Sequence, residues 1–225
     1  KQATGGWLTG KALALDGSSV IFDTAEKYDL VAEIAAFFGM KQQAKWYLPG
    51  IGLSTAGQHL IRRGYKNTIV GDVGGVSLAY QRTLLPSANV VRSDLLREVV
   101  NPPASVVVDS SVLDVFLAEP GLPIRQAVDG MKRQMRPDGV FICFSMNNQT
   151  MFRQLRGKFK HLWYGFIRMQ APQSSSKRTN KTAPRADVSL WICTDRNVKG
   201  NSSLPIQRPY LSPFLYNPSL GDIKN

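Results

Sequence analysis

Gly50-Ile51-Gly52, Asp72, Asp94 and Asp109 are the residues whose types and spacing can do chemistry in this chain. Each lies at the end of a short apolar run that reads as a strand, residues 46–48, 68–70, 89–91 and 105–108 in turn. Glycines after a strand let the backbone approach a ligand, and the start of a following helix offers free N–H groups. Asp72 stands 22 positions after Gly50. That is the offset at which a carboxylate can accept both hydroxyls of an adenosine ribose. Taken singly, a G-x-G is common in tight turns and an Asp is an ordinary cap or turn residue. Taken together, in order, at the carboxyl ends of successive strands, they describe a rim for an adenosine-bearing cofactor.

Elements must hold these residues in place, and the pattern supplies them. Apolar residues at helical spacing predict helices over 24–38, 76–84, 124–135 and 149–159, with another ending at Arg63-Gly64. Further strands are expected over 140–145, 162–169 and 188–194. Strands alternating with helices predict an α/β fold. The expectation is a doubly wound, Rossmann-like, seven-stranded sheet, mostly parallel, closed by an antiparallel edge hairpin. Residues 1–19 read as an N-terminal arm and 20–195 as the domain, with a Ser-, Lys- and Arg-rich loop at 171–186. Residues 196–225 interleave Pro205, Pro209, Pro213 and Pro218 with Tyr210, Phe214 and Tyr216. Proline excludes a helix or an inner strand there, so the tail should run extended against its own domain or a partner.

Between Lys45 and Ser145 the chain resembles class I S-adenosylmethionine-dependent methyltransferases. It looks most like the branch containing the lysine methyltransferases of elongation factor and of citrate synthase. The resemblance rests on Gly50-Ile51-Gly52-Leu53-Ser54, on the stretch from Arg63-Gly64-Tyr65 to Val70-Gly71-Asp72, and on Val91-Arg92-Ser93-Asp94. It continues through Val107-Val108-Asp109, Leu113-Asp114 and Arg136-Pro137-Asp138-Gly139. It implies S-adenosylmethionine as cofactor, with Gly50, Ile51 and Gly52 against its methionine part. Asp72 would hold the ribose with Val73 beside the adenine, Asp94 and Leu95 would meet the adenine edge, and Asp109 would stand at the reactive side. The chain departs from the pattern in four places. Leu48 replaces an acidic residue, Pro49 precedes the loop, and Gly74-Gly75 follows Asp72. Ser110-Ser111-Val112 stands where the branch has Lys-Gly-Thr. The branch's upstream aromatic cluster has no evident counterpart at 24–28. A nicotinamide-dependent oxidoreductase is disfavoured, because Thr55 occupies the third glycine position of G-x-G-x-x-G.

Among the 225 residues are 28 Lys+Arg and 16 Asp+Glu, a net charge of +12. Residues 1–150 carry a net +2, residues 151–200 a net +9, so the anion-facing surface is C-terminal. Arg153, Arg156, Lys158 and Lys160 mix with His161, Trp163 and Tyr164, and Lys177, Arg178, Lys181 and Arg185 follow. Basic and aromatic residues together suit phosphate contacts and base stacking, and the same charge suits an acidic protein. RNA and an acidic protein surface both remain as partners, within a larger complex.

No dedicated catalytic base is named: His59 reads as a packing or surface residue and His161 as an edge-strand residue. Cys143 and Cys193 read as buried free thiols on neighbouring strands, with neither a metal site nor a disulfide framework. No apolar run is long enough to span a bilayer. A first residue of Lys rather than Met fits a removed targeting peptide or a truncated start equally. A reducing compartment is expected, with the mitochondrial matrix favoured over the cytoplasm. Two functions follow: a methyltransferase acting on a protein side chain or RNA, or a catalytically degenerate relative serving as scaffold or assembly factor in a ribonucleoprotein particle such as a ribosome.

Overall fold

A computed structural model describes residues 25–85, 89–168, 187–198, 204–207 and 211–218. The arm at 1–19 and the basic loop at 171–186 lie outside the described residues.

The described elements begin with helix α1 (Ala25–Phe37), then strand β1 (Trp46–Leu48), helix α2 (Ala56–Arg62), strand β2 (Thr68–Asp72), helix α3 (Gly75–Leu84) and strand β3 (Val90–Arg92). Strand β4 (Ala104–Ser110) runs into helix α4 (Val112–Ala118), followed by helix α5 (Ile124–Arg133), strand β5 (Met135–Ser145) and helix α6 (Asn148–Leu155). Strands β6 (His161–Arg168), β7 (Asp187–Thr194) and β8 (Leu215–Pro218) complete the order. The strands lie as β3-β2-β1-β4-β5-β7-β6-β8, parallel from β3 to β5 and antiparallel beyond.

The seven expected strands are present, and the tail adds an eighth on the open side of β6. That corrects the placing of His161, which is on an inner strand between β7 and β8. Its ring stacks on Trp163 at 5.9 Å. The tail packs on its own domain: Leu204, Ile206, Leu211 and Phe214 are all buried in the core beside Trp163, Val188 and Leu190. Proline is tolerated in β8 because an outer strand can leave one edge unpaired.

Two apolar layers sandwich the sheet. On one face α1 and α2 bury Tyr28, Val31, Ile34, Phe38 and Leu60 against Trp46, Val106, Ile142 and Phe144. On the other, α4, α5 and α6 bury Leu113, Val128, Met131 and Leu155 against Tyr47, Val107, Phe141 and Trp191. Strands covered on both faces are apolar throughout, as Val106-Val107-Val108 and Val140-Phe141-Ile142 are.

Three stretches depart most from the expectation. Residues 112–118 form α4, a helix the sequence reading did not expect; Ser110 and Ser111 precede it, but Ser111 makes no side-chain cap and the Asp109 carboxylate takes the Val112 N–H instead. Residue Met135 opens β5 rather than closing α5, and the Arg136-Pro137-Asp138-Gly139 stretch falls inside that strand, where the pairing with β4 shifts register. Helix α6 stops at Leu155 instead of 159, because Gly157 takes a left-handed φ of +78°.

Candidate functional site

The carboxyl ends of β1, β2 and β4 meet beneath the first turns of α2, α3 and α4, and α1 lies over them. Gly50 and Gly52 adopt φ of +57° and +56°, which side chains rarely tolerate. A methyl group on Gly50 would fall 2.4 Å from Val112 Cγ2, whereas one on Gly52 would meet no atom within 4 Å. The Gly50 turn is thus packed against α4, and Gly52 faces open space. Between them Ile51 is buried and donates its N–H to the Gly71 carbonyl at 3.0 Å.

Asp72 organises this loop. Its Oδ2 accepts the Gly52 N–H at 2.9 Å and its Oδ1 accepts the Gly74 N–H at 2.7 Å. The side chain remains half-buried, with lone pairs still available on both oxygens. Val73 beside it is 58% exposed and Val76 is 71% exposed, an apolar shelf left uncovered by the described residues. Gln81 completes the clamp: its amide donates to the Gly52 carbonyl at 2.9 Å and to the Ser54 carbonyl at 2.8 Å. Gln81 is a site residue the sequence reading missed. Its signal is a polar side chain fully buried in α3, legible only once the inward face of that helix is known.

Asp94 and Leu95 follow β3. The Asp94 carboxylate caps its own turn through the Leu96 N–H at 3.0 Å and meets Arg97 at 3.5 Å. Ser93 is tied to β2, donating its N–H to the Asp72 carbonyl at 3.0 Å, so the Asp94 turn is held at the same edge. Leu95 is 7% exposed and packs into the α4–α5 layer against Gly130. Only a sliver of Leu95 faces outward.

Asp109 corrects an expectation. Its carboxylate is 0% exposed and points inward, so it offers no oxygen to a ligand in the cleft. It accepts the Val112 N–H at 2.7 Å and the Leu113 N–H at 3.4 Å, and the Cys143 thiol at 3.2 Å. Burial, with Asp114 adding like charge, pushes its pKa up to about 7. Burial likewise pushes the Cys143 thiol up. Both cysteines are free and buried on the paired strands β5 and β7. Asp114 anchors the end of β5 by accepting from Ser145 Oγ at 2.6 Å, from the Met146 N–H at 2.9 Å and from Asn147 Nδ2 at 3.1 Å.

Helix α1 contributes two residues at the rim. Tyr28 is buried, with its hydroxyl 3.3 Å from Ser54 Oγ and its ring stacked on His59 at 5.7 Å. An aromatic residue upstream of β1 therefore does close over the glycine loop. His59 is the packing residue the spacing suggested. Lys27 is 6% exposed, donates to Ser110 Oγ at 2.8 Å and lies 4.4 Å above the Phe144 ring. A buried lysine at this point is legible only from the fold.

Beside the carboxyl end of β5 is a cavity of about 500 Å³ lined by Asn148, Gln149, Phe152, Arg153, Tyr164 and Trp191. Phe152 and Tyr164 stack on Trp191 at 6.0 and 5.1 Å. Of the basic residues singled out from sequence, Arg153 lines this cavity and Arg156 packs on Phe152 at 6.0 Å. Lys158 is engaged by Asp129 at 2.6 Å, which removes it from the free charge expected there. Lys160 is exposed, and its backbone N–H bonds to Asp195 at 2.8 Å. Lys177, Arg178, Lys181 and Arg185 lie outside the described residues. Among the described residues no cluster of His, Cys, Asp and Glu could hold a metal ion, and no helix is long and apolar enough to cross a membrane.

No family model matches the sequence, and no curated protein matches it. Solved structures do match. A candidate RNA methyltransferase from Pyrococcus horikoshii superposes with a TM-score of 0.56 at 12% identity, over 77% of this chain and 84% of that one. The N-methyltransferase NodS from Bradyrhizobium japonicum, solved with S-adenosyl-L-homocysteine, gives a TM-score of 0.52 at 13% identity, over 80% and 92% of the two chains. A match to Streptomyces venezuelae DesVI covers 53% of this chain and only 49% of that one, with a TM-score of 0.43 at 18% identity. At these identities the likeness is one of fold: the chain has the doubly wound methyltransferase architecture expected from its sequence.

Proposed function

We propose that this chain is an S-adenosylmethionine-dependent methyltransferase whose acceptor is RNA. The observation that carries the cofactor assignment is the Gly52 turn, open on its outer side and clamped by Asp72 and Gln81. An open glycine backbone beside a carboxylate and an uncovered Val73 shelf suits a ligand with a compact polar end, a ribose and a flat apolar base. When bound, S-adenosylmethionine supplies an electrophilic methyl group. The protein's own part is to align the acceptor and exclude water, which α1 favours by laying Tyr28 and Lys27 over the rim. NodS was solved with the demethylated cofactor, and the Pyrococcus horikoshii neighbour is a candidate RNA methyltransferase.

The choice of RNA rests on the cavity by α6. Phe152, Tyr164 and Trp191 present ring surface, Asn148 and Gln149 present amide donors and acceptors, and Arg153 brings positive charge. Rings, amides and a guanidinium suit a nucleobase on its phosphate backbone better than an aliphatic side chain. Placement in the mitochondrial matrix, within a ribonucleoprotein particle, belongs to the same proposal. One observation favours a second reading, that of a degenerate scaffold: Asp109 is consumed as a buried cap and Lys27 occupies the surface of Ser110 and Phe144.

The test is transfer of a labelled methyl group from S-adenosylmethionine to single-stranded RNA and to protein in parallel. Label should enter RNA, and Phe152→Ala with Arg153→Ala should lower transfer about tenfold, in line with roughly 1–3 kcal/mol for a lost base stack. Label entering only protein would overturn the RNA acceptor. No transfer by a chain that binds S-adenosylhomocysteine would select the scaffold.

A further inference from the structure

At the opposite end of the sheet, where the parallel strands begin, is a second cavity of about 500 Å³. It has no part in the rim chemistry, since its walls come from the approach to β1, the starts of β4 and β5, and the residues after β7. Four cations line it, Lys41, Lys45, Arg136 and Arg196, against a single acid, Asp138. The acid is already matched, because Arg136 grips it through two hydrogen bonds of 2.8 and 2.6 Å.

The other three cations pair with no carboxylate among the described residues. Lys45 donates to the Pro102 carbonyl and Arg196 to the Phe38 carbonyl, groups that position an amine or guanidinium without neutralising it. Lys41 is exposed at the mouth. Asp195, next to Arg196, is engaged elsewhere: it pairs with Lys132 at 2.7 Å and accepts the Lys160 N–H. The positions are built in. The Lys45 carbonyl accepts the N–H groups of Ser105 and Val106 at 2.8 and 3.1 Å, which fixes that residue to β4. The Arg196 N–H bonds to Thr194 Oγ1 at 3.1 Å, and its guanidinium lies against Gly39. Burial lowers the Lys45 pKa, the response of a cation whose charge is not compensated by its surroundings.

We infer that this cavity is an anion site that takes a phosphate group. Lys41, Lys45 and Arg196 converge positive charge on a concave pocket, and Arg196 supplies the planar donor pair that suits phosphate oxygens. The cavity is wider than a lone phosphate requires, so the phosphate belongs to a pyrophosphate-sized or larger ligand. The site is independent of the cofactor proposal, since none of its walls touches the glycine loop.

Calorimetric titration of the full chain with inorganic pyrophosphate at low salt tests it, with a uridine decanucleotide as a second ligand. Pyrophosphate should bind, and Lys41→Glu and Arg196→Gln should each weaken it about tenfold, while Arg125→Gln on the far helix leaves it unchanged. The salt slope should fall by about one for each phosphate-contacting cation removed. The Lys41 side chain is exposed and makes no hydrogen bond among the described residues, and an unchanged unfolding midpoint shows that Lys41→Glu is folded. If decanucleotide binding falls in the same variants, the phosphate is that of a nucleic-acid backbone. If only pyrophosphate binding falls, it is that of a free or nucleotide phosphate. Native protein that binds no pyrophosphate, or equal binding by native protein and Lys41→Glu, would overturn the inference.

Discussion

Ser111 joins the resemblance to the geometry at single-residue resolution. It sits where the branch that the sequence resembles has glycine, and it holds a left-handed φ of +68° with its hydroxyl buried and unpartnered among the described residues. A side chain in that conformation costs roughly 1–2 kcal/mol, and an unsatisfied hydroxyl adds to it. Ser111→Gly should therefore raise the stability by about 1 kcal/mol in denaturant unfolding, despite the added freedom of glycine in the unfolded chain. Unchanged or lower stability would show that the Ser111 turn relaxes at no cost. Asp109 makes a separate prediction. Its folded pKa of about 7 lies above the ordinary carboxyl value of 3.8, so the native state holds a proton that the unfolded chain has released between those limits. Stability from this group is present at low pH, falls as pH rises from about 4 to about 7, and is level above that. The slope approaches about 1.4 kcal/mol per pH unit. Asp109→Asn should flatten that decline, measured as unfolding free energy against pH; an identical slope in the variant would refute it.

Among the elements, the tail has the largest predicted effect. Leu204, Ile206, Leu211 and Phe214 are buried, and β8 pairs with β6 along its length from Leu215 to Pro218. Each buried apolar side chain is worth roughly 1.5–3 kcal/mol. Removing residues 204–225 should cost several kcal/mol, and Phe214→Ala alone about 3 kcal/mol, both read as a lowered denaturant midpoint. A truncated chain as stable as the full one would mean that the β8 contacts contribute nothing. The elements also show what the sequence could and could not disclose. Strands buried on both faces are continuous apolar runs, so 105–108 and 140–145 were legible. The rim followed from Gly50, Gly52 and Asp72 at the ends of such runs. Helix α4 was not legible, because its seven residues are nearly all apolar and show no helical period, even though Asp109 before it is of a capping type. Lys27 and Gln81 were not legible either, since a buried polar residue looks like any surface one until its partners, here Ser110 and the Gly52 carbonyl, are brought together.

Across the whole molecule, the net charge of +12 resolves into parts with different neighbours. Lys158 and Lys132 are spent in pairs with Asp129 and Asp195, whereas Arg153 faces the aromatic cavity and Arg196 the amino-edge cavity. The sequence located the net charge in its C-terminal third, whereas the amino-edge cavity draws Lys41, Lys45 and Arg136 from the nearly neutral remainder. RNA affinity should fall steeply with salt, and neutralising Lys177, Arg178, Lys181 and Arg185 should reduce the slope by up to about four. An unaltered slope would exclude that segment from the contact. The central claim is the cofactor rim, and titration with S-adenosylhomocysteine tests it most directly. Binding should release heat with affinity in about the micromolar range, weakened at least about tenfold by Asp72→Ala and by Val73→Glu, whose exposed side chain supports no core. A native chain with a cooperative unfolding transition and no heat of binding would contradict it.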